Sequence, residues 1–120
     1  TQRLALMCET FGLGLSMHSN SHLGISLMAM THLAASVPQL SYACDTHYPW
    51  QDDEVVQGGR LTFEDGSLRV TSTPGLGVQI DREALARLHD NYLNTTIRNR
   101  DDLAQMRKVD PSFTGVQPRF

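Results

Sequence analysis

The sequence has no apolar run long enough to cross a membrane: its longest candidate, Leu23 to Val37, is interrupted by Ser26, Thr31, His32 and Ser36. A span needs roughly 20 predominantly apolar residues, so this stretch is expected to be a buried helix. There are two cysteines, Cys8 and Cys44, both in apolar surroundings and without the spacing of a zinc site or a redox pair. That excludes a disulfide scaffold and predicts a reduced, cytoplasmic setting. An excess of positive charge is also missing. Ten Lys and Arg stand against thirteen Asp and Glu, for a net charge of −3, which creates no field to attract nucleic acid. The densest basic group (Arg98, Arg100, Arg107, Lys108) is broken up by Asp101 and Asp102. No basic leader precedes an apolar core with a cleavage site, and Thr1 stands where an initiator Met would, so the start of the protein is expected upstream.

What is present is the pattern of an α/β protein. Leu4, Met7, Cys8 and Phe11 fall on one helical face, and Gly12 is placed to end that helix. Leu13 to Met17 reads as a short strand buried on both faces, ending at His18. Helical period returns from Ser21 to about Val37 through Leu23, Leu27, Met30 and Ala34, with Ser21 as the cap and Pro38 as the stop. Leu40 to Cys44 forms a second strand, ending at Asp45, Thr46 and His47. Helix, strand, helix, strand with short loops is the grammar of a parallel sheet. Two strands leave unpaired edges, so further strands are expected beyond these residues.

After Trp50 the pattern changes. Arg60 to Phe63 and Ser67 to Val70 flank Glu64-Asp65-Gly66, which predicts a hairpin turning at Asp-Gly. Pro74 to Gly77 predicts a tight turn before a third short strand, Val78 to Ile80. Asp81 is placed to cap a surface helix from about Arg82 to Tyr92. The tail from Asp101 should contain one short helical turn.

Both predicted strands end in residues capable of chemistry. His18-Ser19-Asn20-Ser21-His22 is the densest polar group; His18 and His22 have the separation of a zinc pair on a helix, but no Glu adjoins the first His and Ser residues break the helix there. A polar loop capping the next helix accounts for the same residues. Asp45 to Trp50 reads as an end-of-strand loop with an aromatic rim. His32 and His89 read as structural. Arg100 beside Asp101 and Asp102 reads, on its own, as a surface ion pair worth less than about 1 kcal/mol.

Taken in order, Met17 to His22, Thr31-His32, Asp45-Thr46-His47, Gly58-Gly59, Pro74 to Val78 with its acidic cap, and Arg100-Asp101-Asp102 resemble the glucarate dehydratase family. That family lies in the mandelate racemase group of the enolase superfamily. The sequence departs from it at Tyr48, where members carry tryptophan.

The resemblance implies the C-terminal part of a (β/α)7β TIM-like barrel. Residues 1–50 would be its last two strands and helices, and residues 51–120 a C-terminal segment returning to the α+β capping domain. It further implies a dehydratase of acid sugars, in which His18 takes the proton next to a magnesium-bound carboxylate. Ser19, Asn20, His47 and Arg100 would bind substrate. His22 has no implied role. The Mg2+ ligands, a lysine base and the carboxylate that orients the histidine are implied to lie upstream of Thr1, so the 120-residue chain alone would be inactive. The full-length enzyme would be a homo-oligomer acting on an aldarate. A non-catalytic truncated relative, or a dehydratase of another aldarate or aldonate, are the alternatives.

Overall fold

The computed structural model describes residues 1–99 and 101–116. The chain divides into two compact units, Thr1–His89 and Asp90–Phe120. In the first, helix α1 (Gln2–Thr10) leads through an extended segment to strand β1 (His18–Ser19), helix α2 (Gly24–Ala35) and strand β2 (Asp45–Thr46). A 3-10 turn, Tyr48–Trp50, follows β2 directly. Helix α3 (Arg82–Asn94) begins in this unit, and α4 (Asp102–Val109) belongs to the second.

Helix α1 ends as its glycine predicts. Gly12 takes φ +65°, the Leu13 N–H reaches the Cys8 carbonyl at 2.8 Å and the Gly12 N–H reaches Glu9 at 3.0 Å. These are the two reversed bonds of a Schellman ending, which needs a left-handed residue that glycine supplies without strain. Helix α2 starts two residues later than predicted. Leu23, not Ser21, occupies its cap position and offers no side-chain bond. The first helical donor without a partner in its own helix, the buried Gly24 N–H, is satisfied instead by the Glu54 carboxylate, 30 residues away in sequence.

The two predicted strands are shorter than the sequence pattern implies. Regular parallel pairing is confined to His18↔Asp45 and Ser19↔Thr46. Upstream, single bonds from Ser41 and Tyr42 to the Leu15 carbonyl and from Asp45 to Met17 keep the segments side by side. Leu13 and Tyr42 are exposed rather than buried. A parallel strand of this apolar kind needs neighbours on both edges and cover on both faces, and the described residues supply one neighbour. The third strand is likewise reduced to a single antiparallel bridge, Val56↔Ile80.

Of the predicted hairpin only the turn forms, where Asp-Gly predicts it: a single bridge, Glu64↔Ser67, stands in place of strands over Arg60 to Phe63 and Ser67 to Val70. Asp65 and Gly66 both have positive φ, 47° and 73°, and Glu64 and Ser67 exchange backbone bonds of 2.9 and 2.8 Å, as a type I′ turn requires. Asp81 caps α3 through its side chain, accepting from Glu83 N and Ala84 N at 3.0 Å each. Helix α4 is longer than the single turn expected, with Asp101 capping it at Ala104 N, 2.9 Å.

The core of the first unit gathers Leu27 and Met28 of α2 with Val37, Tyr48, Val55 and Val56. Burying a side chain such as Leu27 contributes about 1.5–3 kcal/mol. The face of α1 that carries Leu4, Met7 and Phe11 is left open, with Phe11 72% exposed. An apolar face of this kind next to unpaired strand edges favours association. The 120-residue chain made alone is therefore expected to self-associate in sedimentation velocity; a monodisperse monomer with one cooperative thermal transition is the opposite outcome.

Candidate functional site

The parallel register puts His18 and Asp45 opposite each other, and directly paired residues of neighbouring strands project to the same face. His18 Nδ1 lies 2.6 Å from Asp45 Oδ1. A carboxylate of this chain thus meets the ring; the one that the resemblance implies upstream of Thr1 lies outside this sequence. Nothing in the local sequence pairs residues 27 apart; the hint was that both strands end in polar residues at the same point of the repeat.

The other ring nitrogen, Nε2, lies 2.8 Å from Asn20 Oδ1. Oxygen on both sides suits the imidazolium form, which would donate a hydrogen bond to each. Half a turn of the Asn20 amide would present its NH2 to a neutral ring instead, so Asn20 can follow either protonation state. The bond from Asp45, then that from Asn20, then the Asp45 charge raise the His18 pKa above its ordinary 6.5. His47 completes the group from the loop after β2. Its ring stands edge-on to His18 at 5.9 Å between centroids, and Trp50 leans against its other side at 5.3 Å. A backbone bond from His47 N–H to the Asn20 carbonyl, 3.3 Å, ties the two loops. The group is open to solvent: the side chains of His18 and Asp45 are 55% and 68% exposed.

Ser19, next along β1, faces the other way. It is 1% exposed and donates to Thr46 Oγ1 at 2.7 Å. Tyr48 departs from the expected aromatic rim. It is buried beneath the loop, 1% exposed, with its ring near Phe63, while Trp50 alone of the two aromatics is exposed, at 76%. The Tyr48 hydroxyl donates to the buried Glu54 and accepts from Leu61 N at 2.8 Å. Burial, then the bond to Glu54, pushes the Tyr48 pKa up to about 12, so the hydroxyl stays a donor at any working pH.

Arg100, the remaining predicted substrate contact, lies outside the described residues. His22 Nδ1 is buried without a hydrogen bond among the described residues. His32 is structural as read, with Nε2 at 3.2 Å from the Leu76 carbonyl. Among the described residues no three His, Cys, Asp or Glu stand together as metal ligands, and Asp45, the carboxylate at the strand ends, is engaged by His18. The described residues do not form a magnesium seat.

An open polar cluster at the C-terminal ends of parallel strands is where α/β barrels keep their active sites. The sequence pattern of the Enolase C-terminal domain-like family matches residues 1–84, and the chain belongs to that family. It is 57% identical, over its whole length, to the probable glucarate dehydratase of Streptomyces coelicolor, and spans 28% of that protein. Among solved structures it is 60% identical, with a TM-score of 0.91, to an enolase from Pseudomonas fluorescens with bound magnesium, potassium and tartrate. It is also 60% identical, at a TM-score of 0.88, to an enolase from Mycobacterium smegmatis complexed with tartrate. Each structural match covers 99% of this chain and 28% of the other.

The ion pair at His18 has a definite pH signature. Its folded pKa lies above 6.5, so its contribution to stability is present below that value and is lost as pH rises through the folded pKa. Asp45→Asn should bring the NMR titration of His18 back toward 6.5. The variant should lose stability against the parent in acid and match it in alkaline solution, with salt shrinking the difference. An unmoved titration means Asp45 does not hold the ring.

Proposed function

We propose that this segment carries the histidine side of the active site of an acid-sugar dehydratase of the D-glucarate type, a hydro-lyase. The observation that carries the reading is His18, gripped at Nδ1 by Asp45 and met at Nε2 by Asn20, at the ends of two parallel strands. Residues 1–50 would be the last two strands and helices of a (β/α)7β barrel, and residues 51–120 the segment returning to a capping domain.

In the neutral ring Nδ1–H points at Asp45 and Nε2 holds the free lone pair. That lone pair takes the proton from the carbon next to a substrate carboxylate. Asp45 stabilises the imidazolium that forms and keeps the ring from turning, as carboxylates do for catalytic histidines. The imidazolium then returns the proton to the hydroxyl on the neighbouring carbon. The carbon–oxygen bond breaks, water leaves, and the enol product rearranges to a ketone. A pKa above the usual histidine value suits the second step, because it keeps the ring charged long enough to act as an acid.

Asn20 and His47 bind substrate oxygens beside His18. Ser19 contributes through its main chain, its hydroxyl being committed to Thr46. Arg100 holds the distal carboxylate by two parallel hydrogen bonds. The tartrate in the two related enolases is itself a short dihydroxy diacid, which supports an aldarate as the substrate class. Magnesium belongs to the proposal as an ion held by residues upstream of Thr1, and no step above uses it. The enzyme would be a cytoplasmic homo-oligomer; both cysteines are free thiols.

In a chain of the relatives' full length that carries this segment, His18→Asn should leave the fold intact. Turnover of glucarate should fall by about 10²–10⁴-fold, the usual contribution of a general base. Retention of more than about a tenth of the activity would make some other group the base. Arg100→Lys should weaken use of the diacid far more than use of a monoacid analogue. Equal loss on both would place Arg100 away from the distal carboxylate.

A further inference from the structure

We propose that Glu54 and Tyr48 form a buried tie that positions His18 and His47 relative to each other, making both of them positioning residues for the reaction. The inference rests on the functional reading of the two histidines given above.

The strands that bear the two histidines share a ladder of just two residue pairs. So short a ladder fixes where β1 and β2 end but leaves the following loops free to turn. The loop after β1 runs from Asn20 to the start of α2, and the loop after β2 contains His47 and Tyr48. Both are gathered onto one carboxylate. Glu54, 8% exposed, accepts from Gly24 N–H at 2.9 and 3.1 Å and from Val55 N–H at 2.6 Å, and the Tyr48 hydroxyl donates to it. The Tyr48 N–H adds a bond of 3.2 Å to Thr46 Oγ1, the oxygen that also receives the Ser19 hydroxyl.

Three features make this more than a buried cap. A carboxylate taken out of water must be met by donors or neutralised, and Glu54 is met by Tyr48 of one loop, by Gly24 at the end of the other and by its own neighbour Val55. Its seat at the amino end of α2 adds the favourable end of the helix dipole, which binds the whole helix, and so the loop leading into it, to the same point. Tyr48 is the residue next to His47 in sequence. Any rotation of the turn Tyr48–Trp50 that broke the hydroxyl bond would swing His47 and Trp50 with it. The Tyr48 hydroxyl also accepts from the Leu61 N–H at 2.8 Å, a second bond that holds the ring in place.

The consequence reaches His18 through its partners. Asp45 and Asn20 bond its two nitrogens, and the His47 ring faces it from the other loop. Loosening the tie lets those partners drift.

The test uses Tyr48→Phe, Glu54→Gln and the double variant, in a chain of the relatives' full length carrying this segment. Selective histidine labelling reads the His18 titration by NMR, with or without activity; turnover of glucarate is followed separately. Each single variant should move the His18 titration toward 6.5 at a temperature where circular dichroism shows the protein still folded. Each should lower kcat by about 10²-fold, the scale of a 1 Å misplacement, with KM changed much less. The double variant should lose no more than the worse single, because both break the same tie. Unchanged titration and kcat within twofold in Tyr48→Phe, which keeps the buried ring and so the fold, would overturn the proposal whatever Glu54→Gln does. If the parent itself dehydrates no acid sugar, the functional reading fails, and the NMR titration still decides the tie.

Discussion

The register of the β1–β2 pairing is the constraint on which the rest of the site depends. In a parallel pair, residues opposite one another share a face, so aligning His18 with Asp45 brings an imidazole and a carboxylate together from positions 27 apart. The next pair, Ser19 with Thr46, necessarily faces the opposite way, and there two hydroxyls close on each other at 2.7 Å. A slip of one residue would set His18 against Thr46, or Ser19 against Asp45, and break both pairs.

Beyond the strand ends the side chains are open to solvent; beneath them they are packed. His18, Asn20, His47 and Trp50 sit on the open side, while Tyr48, Glu54 and Leu27 sit beneath. This division explains how a polar cluster can be held in shape without being enclosed. Burial beneath supplies the rigidity, since a carboxylate with several donors and a tyrosine with both a donor and an acceptor partner have few alternative arrangements.

The open apolar surface of α1 and the unfinished strand edges fit the other large fact about the chain, that it spans 28% of the relatives it matches. Helix α2 is apolar on nearly every side, a composition suited to burial all round, yet Ser26 and Ala29 are exposed among the described residues. In the barrel proposed above, such surfaces are the ones that neighbouring strands and helices would cover.

Local chemistry carried much of this fold in the sequence itself. Gly12 ends α1, Asp81 starts α3, Asp101 starts α4 and Asp65-Gly66 turns the hairpin because each depends on bonds within a few residues. The motif around His18 and His47 was legible for the same reason: it is a string of neighbours that resembles a known family. What the sequence could not determine was anything made by distant residues meeting. The cap of α2 comes from Glu54 rather than Ser21, the partner of His18 is Asp45, and Tyr48 is a buried strut rather than part of the rim. Each of these follows from strand register and packing, which bring together side chains 6 to 30 residues apart, and no local pattern encodes a distance of that kind.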